Sequence, residues 1–122
     1  MKKLNKAVGN YAEQLASDFL IKNHYKIIER NFRNNLGEID IICLKNSLLI
    51  IVEVKGRYNI DFGFPQESVT FSKQKTIAKV AHSYINYRNF RNINVRFDVI
   101  EVLFNKTNSS YTINHIKDAF RL

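Results

Sequence analysis

Cysteine occurs once, at Cys43, proline once, tryptophan not at all, and glycine only four times in 122 residues. A single cysteine cannot staple a small secreted scaffold, so a reducing compartment, the cytoplasm, is the expected home. Scarce proline and glycine exclude a linker-rich or low-complexity chain, and with it disorder as the main state. Long apolar runs are missing too. The longest, Leu48 to Val52, holds five residues, against the ~20 of a membrane helix, and no membrane association is expected. The opening Met1-Lys2-Lys3-Leu4-Asn5-Lys6 has the charge of a signal peptide without the apolar stretch that should follow. Acids are in deficit, 11 against 19 Lys plus Arg, for a formal net charge of +8. Such an imbalance favours a polyanionic partner, and nucleic acid is the commonest. The abundance of Lys, Ile, Asn and Tyr gives the charge a second source, translation of an AT-rich gene.

What is present reads as one domain, residues 1–122, with no repeat or composition shift to divide it. Val8, Tyr11, Ala12, Leu15, Ala16 and Phe19 recur at three- and four-residue steps and predict a helix over residues 6–22. Residues 25–32 suit a strand with Tyr25 and Ile27 on one face and Ile28 and Phe32 on the other. Residues 39–44 and 48–54 are β-branched runs apolar on both faces, the signature of strands covered on both sides. Gly63 and Pro65 mark residues 56–69 as a loop. A second helix is predicted over residues 72–88, with Ser72 as N-cap and Gln74, Ile77, Ala78, Ala81 and Ile85 along one side. Strands follow at 95–104 and, more weakly, 111–116. The order αβββαββ implies a mixed sheet between helices, with the strand after the second helix parallel to a meander strand through a right-handed crossover.

Charges interrupt strands that should carry none: Asp40 in one, Glu53 and Lys55 in the other. If Asn46-Ser47 is a two-residue turn with Lys45 facing Leu48, stepping down the ladder sets Asp40 opposite Glu53 and Glu38 opposite Lys55, all on one face. A bulge would break that register. Directly opposed carboxylates repel unless something compensates. A divalent cation would do so: Mg²⁺ or Mn²⁺ takes carboxylate oxygens and completes its shell with water and substrate phosphate. Lys55 could then orient the attacking water, help deprotonate it, or stabilise the developing charge. The competing structural reading is a quartet in which Glu38 pairs with Lys55 and Asp40 shares a proton with Glu53.

Gly37-Glu38-Ile39-Asp40 and Val52-Glu53-Val54-Lys55-Gly56-Arg57, preceded by a helix bearing Glu13, resemble the PD-(D/E)xK nuclease superfamily. From Gly9 to Phe104 the chain is similar to the YraN family of uncharacterised bacterial proteins, itself distantly similar to archaeal Holliday-junction resolvases. Arg30-Asn31-Phe32-Arg33, Gly63-Phe64-Pro65, Lys73-Gln74-Lys75 and Arg96-Phe97-Asp98-Val99-Ile100 extend the likeness. The resemblance implies a restriction-endonuclease-like α/β fold, an αβββαβ core plus a short C-terminal strand. It also implies Asp40 and Glu53 as ligands of Mg²⁺ or Mn²⁺, Lys55 as catalytic lysine, and Glu13 approaching the metal from the first helix. Two positions depart from the pattern. Ile39 stands where the superfamily has proline, and Ala12 where the family usually has a second glycine. The implied activity is metal-dependent endonucleolytic hydrolysis of DNA phosphodiesters, in branched or junction DNA. The alternative is a non-catalytic nucleic-acid-binding module on the same scaffold. Because resolvase-like enzymes act on two strands, a homodimer is admitted.

The remaining candidates each have two readings. Glu13, at the edge of its apolar stripe, either reaches the site or is solvated. Gln74 points inward, toward the site or as a helix-boundary residue. Lys73, at a helix N-terminus, either contacts phosphate or is a plain exposed lysine. Arg57 is a candidate phosphate ligand. Tyr58, Phe62 and Phe64 suit base stacking, a loop's own small core, or a dimer contact. His24, His82 and His115 share no zinc-ligand spacing. Cys43 reads as a core residue, and Asp98 as paired with Arg96.

Overall fold

The computed structural model describes residues 2–58 and 69–121. Its elements are α1 (Lys2–Lys22), β1 (Lys26–Asn34), β2 (Gly37–Lys45), β3 (Leu48–Tyr58), α2 (Phe71–Arg88), β4 (Asn94–Phe104) and β5 (Tyr111–Phe120). The five strands form one sheet in chain order, antiparallel except for β3 and β4, which run parallel through the α2 crossover. The expected αβββαββ order and the parallel pair are both present. No helix among the described residues is long and apolar enough to cross a membrane.

Each face of the sheet carries one helix, so the central strands are apolar on both sides. Ala12, Ala16 and Leu20 of α1 bury against Ile41, Cys43, Ile50, Val52 and Ile100. Ile77, Val80, Ala81 and Tyr84 of α2 bury against Ile42, Leu49, Ile51 and Val99. The α2 face is thus turned slightly from the expected stripe, with Val80 and Tyr84 inward, because Tyr84 stacks edge-on against Phe32 of β1. Cys43 is wholly buried, and burial pushes its thiol up to about 12, so it is a core residue.

Three boundaries differ from the sequence reading. Strand β3 runs on through Gly56 and Arg57 to Tyr58, because β4 pairs with it along its full length. Gly56 and Arg57 are therefore sheet residues, while Phe62, Gly63, Phe64 and Pro65 lie outside the described residues. Helix α2 is capped by Thr70, whose hydroxyl accepts from the Lys73 N–H at 3.1 Å, and Ser72 lies inside the first turn. Strand β5 extends past Ile116 to Phe120, continuing beyond an irregularity at Asp118, which takes a left-handed backbone (φ 55°).

A buried polar knot ties the ends of β1, β4 and β5. Asp98, fully buried, receives both arms of Arg96 at 2.8 Å, His115 Nε2 at 2.7 Å and the Asp118 N–H at 3.0 Å. Arg96 also donates to the Tyr25 hydroxyl. Burial would raise the Asp98 carboxyl, but His115, Arg96 and the Asp118 N–H outweigh it and hold the group below its ordinary range. The expected Arg96–Asp98 pair is present, with a histidine added.

Helix α1 can lie close to β3 because Gly56 has no side chain. A Cβ there would meet Ala12 Cβ at 2.6 Å and the Val8 carbonyl at 3.3 Å. Gly56→Val is expected to lower stability by about 1–3 kcal/mol through overpacking. Urea unfolding checks this, read as a lowered midpoint at unchanged slope; an unaltered midpoint contradicts the packing account.

Candidate functional site

The β2–β3 hairpin fixes the geometry. Asn46 supplies the positive φ (57°) that a two-residue turn demands, and Lys45 faces Leu48 as expected. The ladder continues to Ile41 opposite Val52 and stops. Beyond it β2 stays with β1 down to Gly37, and β3 stays with β4 out to Tyr58, so the sheet parts between the two central strands. Asp40 and Glu53 are the first residues past the parting.

At the same level β2 turns over. Ile41 and Cys43 face α1, whereas Ile39, two residues back, packs on the α2 side. A strand of period two would keep all three together. The neighbouring strand is irregular there as well, since Asn31 of β1, between the pairs Arg30–Ile41 and Phe32–Ile39, has a left-handed backbone (φ 54°). Asp40 uses the gap to accept the Val54 N–H on Oδ2 at 2.7 Å, a donor the ladder no longer serves.

The two acids do come together, through the parting instead of as a ladder pair. Asp40 is pushed up to about 8 by burial first, then by the charge of Glu53 and of Glu13, against the pull of the Val54 N–H. Glu53 is buried, 6% exposed, and its Oε2 meets two ammonium groups: Lys73 Nζ at 3.0 Å and Lys55 Nζ at 3.7 Å. Lys55 shares the face of Glu53, two residues on. Lys73 arrives from the first turn of α2. Burial alone would lower the Lys73 ammonium, yet the charge and hydrogen bond of Glu53, with Asp40 and Glu38, raise it.

Glu13 approaches from α1. Burial raises its carboxyl, helped by Glu38 and Glu53 and opposed by Arg30 and a hydrogen bond to Asn31. It lies near enough to Glu38 and Glu53 to feel their charge. Among the described residues, however, no three His, Cys, Asp or Glu side chains close around a common point, so Glu13 stands behind the pair.

Glu38 corrects the sequence reading. It does not face Lys55, because the β2–β3 ladder never reaches it. It lies opposite Arg33 on β1 and accepts that guanidinium at 2.7 and 2.9 Å. Gln74 donates to the Val69 carbonyl at 3.1 Å, engaging its amide in the start of its own helix. Arg57 is also engaged, with Nη2 at 2.9 Å from Glu101 Oε2. Glu101, fully buried on β4 in register with Lys55, escaped the sequence reading although it interrupts an apolar strand as Asp40 and Glu53 do. Burial raises its carboxyl and Arg57 opposes the rise. Asn31 gave no signal beyond asparagine's general tolerance of left-handed backbone.

A five-stranded mixed sheet between two helices, with acids and lysines gathered where the central strands part, defines an α/β protein with a restriction-endonuclease-like core. The chain belongs to the UPF0102 family, described as "Uncharacterised protein family UPF0102", whose model matches residues 12–102; the YraN-like resemblance is thereby borne out. It is 67% identical over 121 residues to a UPF0102 protein of Clostridium botulinum (strain Eklund 17B / Type B), covering 99% of each chain. A UPF0102 protein of Clostridium perfringens (strain 13 / Type A) is 47% identical over 122 residues, the full length of both. One of Caldanaerobacter subterraneus subsp. tengcongensis is 45% identical, over 98% of this chain and all of the relative.

The raised Asp40 carboxyl has a sign. The folded chain keeps its proton to about pH 8, while the unfolded chain releases it near ~4. The unfolded state therefore binds fewer protons between those values, and stability falls as pH rises from about 4 to about 8. Metal-free protein is expected to show this fall in urea midpoints. Asp40→Asn should flatten it and add on the order of 1–3 kcal/mol at neutral pH; a slope that survives the substitution rejects Asp40 as its source.

Proposed function

We propose that the protein is a metal-dependent endonuclease that hydrolyses DNA phosphodiesters, and that Asp40 and Glu53 hold a Mg²⁺ or Mn²⁺ ion. The observation that carries this reading is the pair of acids set where the sheet parts, Asp40 holding the Val54 N–H and Glu53 buried beside the Lys73 and Lys55 ammonium groups. Acids set side by side with a perturbed carboxyl are a recognised mark of a functional site.

The donor set fits the ion. Mg²⁺ binds through one or two carboxylates and fills its remaining positions with water and substrate phosphate, so two acids suffice and Glu13 has a place behind them. Such an ion, once bound, polarises the phosphoryl oxygen and lowers the pKa of bound water. The chain's own cations do the rest. Lys55 lies beside Glu53, where its ammonium can donate to a phosphate oxygen and offset the charge that develops there. Lys73 has three N–H donors, of which one serves Glu53, leaving others for a neighbouring phosphate. Arg57, held by Glu101 on the same sheet face, adds positive charge to that face. The net charge of +8 draws the polyanion in and makes binding strongly salt-dependent. Branched or junction DNA is the substrate class the family likeness favours, and a homodimer suits cutting of two strands.

One observation favours the alternative, a binding module without turnover. Glu53 is paired with Lys73 and Lys55, so the site is electrostatically satisfied on one side.

Cleavage of branched and linear DNA in Mn²⁺ separates the two. Lys55→Ala and Asp40→Asn are each expected to lower the rate roughly 10²–10⁴-fold. Rates unchanged in both variants would identify a contaminating nuclease and leave the non-catalytic reading.

A further inference from the structure

At the end of the sheet where β3 and β4 finish, a groove of about 370 Å³ opens between the N-terminal half of α1, Tyr58, Phe104 and the β4–β5 hairpin. Its volume is at the small end of the roughly 300–1,000 Å³ typical of ligand sites. Aromatic rings build it. Tyr11 stacks on Phe104 with centroids 5.5 Å apart and planes 17° from parallel, and Tyr58 leans on Phe104 at 6.2 Å and 55°. Tyr11 belongs to the apolar stripe of α1, yet it remains 54% exposed while Ala12, Ala16 and Leu20 beside it are fully buried. Its ring is therefore a platform with an open side.

The surroundings select the occupant. Lys106 Nζ stands 5.5 Å over the Tyr58 ring. No acidic residue occurs among residues 7–11 or 104–110, the two segments that with Tyr58 line the groove. The rim carries Asn105, Asn108, Ser109 and Ser110. The amide oxygens of Asn105 and Asn108 already accept bonds within the hairpin, from Thr107 and Ser110, so the rim offers amide N–H and hydroxyl groups. Planar rings, a cation beside them and polar groups at the edge match a nucleobase attached to an anionic backbone.

We propose that this groove binds an unpaired base of a DNA strand whose backbone continues to the Asp40–Glu53 site, an inference that rests on the nuclease reading. Tyr58 is three residues beyond Lys55 on β3, roughly 10 Å along the strand, so one DNA strand passing over the end of the sheet meets both. A base paired inside a duplex cannot enter. The groove therefore favours single-stranded stretches, flaps or the unstacked centre of a junction.

Fluorescence anisotropy in EDTA reads binding without hydrolysis, using a labelled oligothymidylate of about 12 nucleotides, within the span such grooves cover, and a hairpin duplex of equal charge. The wild type is expected to hold the single strand more tightly. Tyr11→Ala should weaken single-strand binding roughly ten-fold and leave duplex binding and the melting midpoint unaltered, while Tyr11→Phe retains affinity. Single-strand binding by Tyr11→Ala equal to wild type overturns the inference, and so does ultraviolet crosslinking of a bromodeoxyuridine oligonucleotide only to peptides outside this groove. Cleavage in Mn²⁺ distinguishes the two readings. Tyr11-dependent binding without cutting removes the nuclease and keeps the groove; cutting with Tyr11-independent binding removes the groove and keeps the nuclease.

Discussion

The parting of β2 from β3 after the Ile41–Val52 pair governs the rest of the structure. A continuous ladder would bury Asp40 and Glu53 as opposed charges in the middle of a sheet, an arrangement with no compensating donor. Ending the ladder there frees the Val54 N–H, which Asp40 takes, and makes room for ammonium groups from β3 and α2 to reach Glu53. One missing stretch of pairing thus supplies the polar group that holds the site's first acid.

The molecule divides its polar groups between two tasks. The Asp98 knot is fully satisfied, with its carboxyl held below the ordinary range by His115, Arg96 and a backbone N–H. That centre stabilises the charged form and fastens β4, β5 and the start of β1. The Asp40–Glu53 centre does the opposite, since its carboxyl is driven upward by burial and by its neighbours. A buried acid held ionised by donors on every side fastens a fold, whereas one driven upward by a neighbouring acid is a candidate for function. Their separation lets the second be strained while the first carries stability.

Much of this was legible in the chain. Turn chemistry at Asn46-Ser47 and the two-sided apolar runs determine the hairpin register, and that register brings Asp40 toward Glu53. Arg96 and Asp98 share a strand face by simple alternation. Other features lie beyond local pattern. Alternation assumes a regular strand, so the inversion at Asp40 and the consequent pairing of Glu38 with Arg33 were hidden. Glycine is a break signal, and only the partner strand β4 shows why Gly56 continues β3. Thr70 and Ser72 are equally good caps, so packing decided between them. Lys73 and Glu53 are twenty residues apart, and only the crossover helix joins them.

The kink shared by β1 and β2 has a further consequence. In an antiparallel pair a slip of one residue turns every side chain to the other face. Here Asn31, with its left-handed backbone in β1, stands level with the inversion at Asp40 in β2. A slipped hairpin would set a left-handed residue against an unbroken stretch and strand its donors. The irregularity beside the acids therefore also serves as an alignment mark between β1 and β2.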